Sequence, residues 1–442
     1  MRERYNILIV SYVFPPFPGI GGRRWAKFAK YLHRKGHNVY VVAAKNPFPI
    51  KSTFLKDIQE IPPGRLIYFH PLYPEIFLRV KANFSDAVYS KKCAGIKAFQ
   101  QKLVVLDKIK YHFWKRILQF LIKGNFYDRT NLWSRFWKGK IMDVIVKNEI
   151  DVVIYSGPDF HGAYELATKI KKFTKAKFIV DYRDEWTYSD FHGFGSLTTE
   201  RKNIEVQKEK FVCENADLIT SFAREILEFL KKHYNVRRVA LLPHGFDKDD
   251  FKGIILNKKV GGESISFGYF GNIEEGYHKF FEELNKAMSV LRQQNPELYQ
   301  SVRFNFFLLS EFKYMDLIEE HISRFNFNFN LPSERLFKEI AKTDYLLLLA
   351  DVRSGNYFTS RVPEMLYLRK PIVLYGKKGM VSEFIEKHRI GIHLPEENFY
   401  ETFLNILKGS YSFSFDTLNV DEFDYSVITD KLIEFIAEIK NA

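Results

Sequence analysis

Four clusters of residues in this chain have the types and spacing that site chemistry needs. The first is Pro15-Pro16-Phe17-Pro18-Gly19-Ile20-Gly21-Gly22-Arg23-Arg24, between a strand pattern and a helix pattern. Glycines let backbone amides approach a ligand closely, and the helix start that follows favours an anion. A tight strand-to-helix turn also needs glycines, so ligand contact and plain geometry stand level. A dinucleotide fingerprint requires Gly-x-Gly-x-x-Gly, and its third glycine is replaced by Arg24, which excludes the nicotinamide reading. The Gly-Lys-Ser/Thr of a P-loop is also absent.

The second cluster is Asp181-Tyr182-Arg183-Asp184-Glu185-Trp186-Thr187, just past a strand. Ligands of open α/β sheets bind at that carboxyl edge. Carboxylates such as Asp181 and Asp184 accept hydrogen bonds from sugar hydroxyls, and the face of Trp186 can cover apolar ring carbons. The competing reading is an internal cluster of Arg183 with these acids that braces the loop. Ser156-Gly157-Pro158-Asp159-Phe160-His161 ends another strand and adds an anion-friendly turn with His161. A lone histidine is more often structural.

The third cluster, Ser360-Arg361-Val362-Pro363-Glu364, follows a leucine-rich strand. Ser360 reads as an N-cap, and Pro363 is tolerated in a first helical turn. Free amides there, beside Arg361, make a cradle for a diphosphate. Glu364 can grip a ribose or hexose diol, although an acid near a helix start also simply suits the dipole. The fourth is Phe267-Gly268-Tyr269-Phe270-Gly271-Asn272-Ile273, followed by His278 and Lys279. A strand entering a glycine turn and a basic residue suits phosphate, or is a solvated lysine at a helix start. The one Asp-x-Asp, Asp247-Lys248-Asp249, lies in a Pro- and Gly-containing stretch where acids at turns are commonplace. No Cys/His constellation exists, so no metal or other cofactor is expected.

These clusters need a scaffold, and the hydropathy pattern supplies a doubly wound α/β one. Short apolar runs at Asn6–Val13, His37–Ala44, Asp151–Tyr155, Lys177–Asp181 and Asp217–Ser221 alternate with helical stretches. Trp25, Phe28, Ala29 and Leu32 have helical spacing over Arg23–Lys35, and Gly36 sits where a helix ends. A second set starts at Ser264–Phe270 and continues at Arg303–Leu309, Tyr345–Ala350 and Pro371–Tyr375. Leu241–Lys259 reads as the hinge and Val427–Ile439 as a final amphipathic helix. The expected layout is an N-terminal domain over 1–247, a C-terminal domain over 248–425, and a closing helix over 426–442.

Composition bounds the rest. The chain has 442 residues, a formal net charge of +14, 46% hydrophobic and 17% aromatic residues. That apolar content excludes disordered, collagenous and disulfide-scaffold classes. Cys93 and Cys213 lack metal-like spacing, which fits a reducing compartment. No run reaches the roughly 18 apolar residues of a spanning helix, and Pro15-Pro16 cuts short a signal-like start. A soluble protein on the cytoplasmic side is therefore expected. Pro71–Lys147 stands apart as a basic, aromatic, helical insertion. Residues 101–150 hold eleven Lys+Arg against four Asp+Glu, a local +7. The leading reading packs it on its own domain with a solvated face; the other sets it on anionic lipid headgroups. No nucleic-acid motif accompanies it, so no nucleic-acid partner is expected.

Taken in order, these motifs resemble nucleotide-sugar-dependent glycosyltransferases of the GT-B fold, specifically the retaining glycosyltransferase family 4. The opening strand, the Pro-Pro…Gly-Gly turn and Gly36-His37-Asn38-Val39 resemble its N-terminal signature. Asp128-Arg129…Trp133, Ser156-Gly157-Pro158 and Asp181–Thr187 resemble a bacterial branch that builds surface polysaccharides. Pro243-His244-Gly245-Phe246-Asp247 is similar to the family's domain junction, and Arg361…Glu364…Tyr367 with Lys370-Pro371-Ile372-Val373 to its donor helix and following strand. The resemblance implies two Rossmann-like domains facing a cleft, with sugar moving from a nucleoside-diphosphate donor to a glycan or lipid-linked acceptor. It implies that Glu364 holds the donor ribose, that Arg361 and Lys279 neutralise the diphosphate, and that Gly21 and Gly22 approach it from the other domain. Gly271, Asn272, Asn356 and Ser360 complete the implied donor site, and His161, Asp181, Arg183, Asp184 and Trp186 the acceptor side. Asp184 joins Arg361, Lys279 and Glu364 as an implied catalytic group. Two positions depart from the family: Asn356 stands where an acid is usual, and Asn272 where an arginine is usual.

Overall fold

The computed structural model describes residues 3–17, 20–48, 52, 54–74, 77, 97–188, 191–254, 264–273, 275–309, 311–350 and 358–442. The chain forms two compact units, Met1–Pro243 with Tyr425–Ala442, and His244–Asp424. The first contains strands β1 (Asn6–Ser11), β2 (Asn38–Ala44), β3 (Leu66–Phe69), β4 (Val152–Ser156), β5 (Lys177–Tyr182), β6 (Leu218–Ser221) and β7 (Val239–Leu241). Its helices are α1 (Arg23–Arg34), α2 (Lys97–Leu121), α3 (Thr130–Lys147), α4 (His161–Phe173), α5 (Thr199–Asn215) and α6 (Arg224–His233). The second contains β8 (Ile265–Gly271), β9 (Val302–Leu308), β10 (Phe325–Phe329), β11 (Tyr345–Leu349), β12 (Ile372–Tyr375) and β13 (Gly391–Leu394). With these come α7 (His278–Gln294), α8 (Ser333–Ile340), α9 (Arg361–Leu368), α10 (Met380–Lys387) and α11 (Phe399–Leu407), before the final helix α12 (Tyr425–Lys440).

Both sheets are parallel, with orders β3-β2-β1-β4-β5-β6-β7 and β10-β9-β8-β11-β12-β13. The doubly wound architecture expected from the sequence is therefore present twice. Central strands are buried on both faces, as parallel strands covered by helices must be; β1 keeps Ile7, Leu8, Ile9 and Val10 all without exposure. The unmarked strands are β3, β7, β10 and β13, which are the four edges. An edge strand is half-covered: all four residues of β3 are only partly buried.

Local chemistry sets the helix ends. Gly36 adopts φ +92°, where a side chain is strained. His37 N–H bonds to Leu32 O at 3.1 Å and Gly36 N–H to His33 O at 2.9 Å, so α1 closes in a Schellman motif. Helix α12 lies in the first unit. Ile428, Leu432 and Ile436 are fully buried in the cluster that also holds Phe28 and Leu32 of α1. Phe28 meets Tyr425 edge-on at 5.3 Å, and Lys35 pairs with Asp430 at 2.7 Å. In the second unit, Phe267, Phe304 and Phe325 face one another in register across three strands, with ring centroids 5.3 and 4.9 Å apart.

The insertion holds two helices, α2 and α3, joined by a non-helical segment over 122–129; Cys93 and the stretch 78–96 lie outside the described residues. The end of α2 is tied to α5 by Arg201, which donates to Gln119 O at 2.6 Å and Gly124 O at 2.9 Å. A Cβ on Gly124 would stand 2.0 Å from Glu205 Oε1 and 2.6 Å from Lys208 Nζ, so any larger residue there must displace that pair. Asp128 caps two helices at once, accepting from Thr130 N at 2.8 Å and His161 N at 2.9 Å.

Two acids lie buried along α5. Glu205 accepts from Lys208 at 2.6 Å, Asn125 N at 2.9 Å and Trp186 Nε1 at 2.9 Å. Glu209 accepts from Thr187 and from Tyr234 at 3.0 Å, and burial pushes its pKa up to about 7.

Two outcomes follow from this packing. Ile436→Ala should lower the unfolding free energy of the first unit by about 2–5 kcal/mol. A shifted denaturant midpoint at unchanged slope is the expected reading, and an unshifted midpoint would show that α12 does not close this core. Glu209 has a folded pKa above its ordinary 4.5, so its contribution is fully present below about pH 4.5 and lost as pH rises through about 7. That loss is on the order of 3 kcal/mol. Glu209→Gln should flatten the fall in thermal stability between pH 5 and pH 8, and an equally steep fall in that variant would refute the assignment.

Candidate functional site

The second sheet reverses its winding between β8 and β11, and the carboxyl edge at such a switch point is where open α/β sheets take ligands. β8 ends there on Gly271, whose φ of +127° is tolerated without strain only by glycine. A Cβ on Gly271 would stand 3.4 Å from Arg361 Cδ and Nη1. Arg361 opens α9 and turns its guanidinium back onto β8. Nη1 donates to Tyr269 Oη at 2.8 Å and to Phe270 O at 3.5 Å, and Nη2 to Tyr277 Oη at 3.4 Å. The guanidinium carbon also sits 5.3 Å from the centre of the Tyr269 ring.

Every one of these partners is neutral. Arg361 is half-buried, and no carboxylate among the described residues lies within ion-pair reach of it. A half-buried guanidinium stays charged, and holding it without a counter-ion is costly unless an anion completes the site. Two polar atoms beside this position in sequence, Asn272 Oδ1 and Thr359 Oγ1, are buried and without a partner among the described residues. Sequence reasoning missed Tyr269 and Tyr277 as the groups that aim Arg361. Their only signal was a tyrosine within the strand motif and another before Lys279.

The other donor-side residues are placed as follows. Glu364, the fourth residue of α9, is 3% exposed. Ser360 was expected to cap α9 through its side chain; it has helical backbone angles and makes no such bond. Lys279 has no contact with Arg361 among those that position the guanidinium. It is exposed, ion-pairs with Glu396, and lines an open cavity of about 1030 Å³ with Tyr375, Gly376, Lys377 and His393. The hydrogen bond to Glu396 raises its pKa. Asn356 lies outside the described residues.

In the first unit, several expected ligand contacts are structural. Asp181 is fully buried and accepts from Arg24 Nε and Nη2 at 3.3 Å, Trp25 Nε1 at 2.8 Å and Thr220 Oγ1 at 2.8 Å. Its lone pairs are spent inside the fold, so it does not face an acceptor. Trp186 is 4% exposed and stacks on Phe160 at 5.0 Å with its indole N–H on Glu205. It therefore offers no open face to a sugar ring. The bracing reading of this loop is the better one, with Arg24 in place of Arg183 as the partner of Asp181.

Arg183 donates to the carbonyls of Gly157 and Gly21, clamping two turns together. Burial lowers its pKa, an effect that Asp184 opposes. Gly22 is required by packing, since a Cβ there would meet Phe14 Cα at 2.9 Å; Gly21 is half-buried with a looser fit. His161 is 1% exposed, with Nε2 3.2 Å from Glu165 and Nδ1 buried without a partner among the described residues. The hydrogen bond from His161, with help from Lys138, holds the Glu165 carboxyl down to about 2. Asp184 is half-buried past the end of β5. Arg129, bonded through Nε to Asp159 at 2.7 Å, is a further buried pair that sequence reasoning left as a motif without a partner.

No protein-family profile matches this sequence, and no curated protein matches it. Solved structures do match in fold. Sucrose-phosphate synthase from Thermosynechococcus elongatus is similar at 11% identity and TM-score 0.58, covering 98% of each chain. The catalytic domain of starch synthase IV from Arabidopsis thaliana, bound to ADP and acarbose, is similar at 10% identity and TM-score 0.56 over 100% of both chains. UDP-GlcNAc 2-epimerase from Neisseria meningitidis, bound to UDP-GlcNAc, is similar at 11% identity and TM-score 0.53, covering 98% of this chain and 100% of its own. At such identities the likeness establishes the fold alone: two Rossmann-like units of the GT-B class in one chain.

Proposed function

We propose that the chain is a nucleotide-sugar-dependent glycosyltransferase whose donor diphosphate binds at Arg361. The observation that carries this reading is the Arg361 guanidinium, held at the switch point of the second sheet by two phenols and a carbonyl without a carboxylate among the described residues. Such a group, with the amides opening α9, is suited to a diphosphate. Glu364 would take the ribose diol. In this reading the anomeric C–O bond to the diphosphate breaks and the acceptor hydroxyl oxygen forms the new bond. Its proton passes to the leaving phosphate oxygen, which is consistent with retention and needs no protein base. Arg361 stabilises the charge that grows on the departing diphosphate, so the reaction calls on no metal.

The acceptor would be a glycan or a lipid-linked saccharide in bacterial surface polysaccharide or glycoconjugate synthesis, in keeping with the motif resemblance to glycosyltransferase family 4. An epimerase is the second reading, because the neighbour bound to UDP-GlcNAc shares the fold. Product analysis separates the two: a transferase extends an acceptor, and an epimerase returns an altered donor.

Arg361→Ala should lower turnover of the accepted nucleotide sugar by about 10²–10³-fold, the usual effect of deleting one donor to a developing charge. Arg361→Lys should recover only part, since an ammonium cannot reproduce the guanidinium fork. Unchanged turnover in Arg361→Ala would remove the site. A thermal-shift screen across UDP-, GDP-, ADP- and dTDP-sugars should give one clear responder, because ligand at 100 times its Kd adds about 2.7 kcal/mol. A flat response to all of them would favour a non-catalytic relative of the fold.

A further inference from the structure

Helix α2 is bound to its own unit along one side only. Tyr111 is half-buried and stacks on Phe77 at 4.6 Å, Leu118 and Ile122 are buried, and Arg201 holds the carbonyls at the helix end. The opposite side carries Leu106, Ile109, Phe113 and Phe120. Their spacings of three, four and seven residues put them on one face. They are 50, 59, 60 and 88% exposed, and Leu121 and Trp114 widen the stripe. Surface hydrophobics are normally scattered singly; a stripe of this kind marks a contact site.

Its border is cationic. Between Leu106 and Lys123 stand Lys108, Lys110, Lys115, Arg116 and Lys123 against a single acid, Asp107. Arg116 follows Phe113 by three residues, which places it along one flank, while Lys110 lies on the other; Lys123 stands just past the helix end, and Lys115 turns back over the Tyr127 ring at 5.9 Å. Among the described residues none of the five is ion-paired.

We infer that α2 docks on an anionic membrane surface, lying flat with its apolar stripe at the acyl boundary and its cations among the headgroups. An exposed apolar face and a basic border are the two signals that interfacial binding combines. The charge complementarity selects lipid over an apolar protein groove, which would cover the stripe and leave the cations beside it, Lys110, Arg116 and Lys123, unanswered. Among the described residues no helix is long and apolar enough to cross a membrane, so the contact is superficial. This inference stands apart from the catalytic reading, since no residue in it belongs to the Arg361 site.

The test is co-sedimentation of the full chain with vesicles of phosphatidylcholine, alone or with an equal part of phosphatidylglycerol. Binding to the anionic vesicles should exceed binding to the neutral ones by about tenfold or more. The excess should vanish at 1 M salt, where the Debye length falls to about 3 Å. Phe113→Ser with Phe120→Ser changes only exposed side chains; it should abolish binding to both vesicles while the melting temperature holds. Lys110→Glu, Arg116→Glu and Lys123→Glu together should remove the anionic preference alone. Equal binding of the wild-type chain to the two vesicles, or no binding to either, would overturn the proposal. So would undiminished binding of the serine variant, or a dimer in solution that this variant dissolves while the wild-type chain ignores lipid.

Discussion

One buried carboxylate organises the carboxyl edge of the first sheet. Asp181 ends its strand without exposure, and an ionised acid there is tolerable only if its lone pairs are answered. Arg24 and Trp25 answer from α1, and Thr220 from β6. The same guanidinium reaches on to the carbonyls of Leu242 at 2.6 Å and Pro243 at 2.8 Å, where the chain leaves the unit. A single ion pair thus sets the seat of α1, the pairing of β5 with β6 and the exit of the backbone. Stranding either charge costs about 3–5 kcal/mol, so neither partner is replaceable alone.

The two units handle arginine in opposite ways, and the contrast separates scaffold from site. In the first, Arg24 meets Asp181, Arg129 meets Asp159, and Arg183 is absorbed by two carbonyls that it holds in place. Those charges are spent on geometry. In the second, the partners of Arg361 among the described residues are phenols and a carbonyl, which orient a guanidinium without neutralising it. Orientation by neutral dipoles leaves the positive potential available to an incoming anion, and a carboxylate in the same place would cancel it. Tyr269 serves twice here, as hydrogen-bond acceptor and as the ring beneath the guanidinium.

How much of this is legible in the sequence depends on how completely each element is covered. The central strands are apolar over most of their length because helices bury both faces, so β1, β4, β8 and β11 are readable from hydropathy. The edges are harder to read: β3 and β7 are apolar runs of only four and three residues, β10 alternates Phe with Asn, and β13 is interrupted by His393. The switch-point helix is readable because Arg361, Pro363 and Glu364 occupy positions with distinct physical demands. Residue type says less about orientation. Asp181 and Trp186 have the chemistry of a sugar site, yet both point inward, and only the long-range partners Arg24, Thr220 and Glu205 decide that. No local spacing encodes a contact made across 157 positions.

The formal net charge of +14 divides by environment rather than by position along the chain. Lys27 is fully buried on Asp57 at 2.7 Å, and Arg24 and Arg129 are consumed in the same pairwise way. A buried cation needs an acid or well-aimed carbonyls, because an unanswered charge in the interior costs more than the fold can spare. The surplus is therefore driven to the surface, where solvent carries it at little cost. Solvation alone would spread that surplus over polar faces. On α2 it gathers instead around Ile109, Phe113 and Phe120, side chains that gain nothing from water. Cations beside exposed aromatic residues are the arrangement on which the proposed docking of α2 rests, because an apolar face and a basic border are the two signals of interfacial binding.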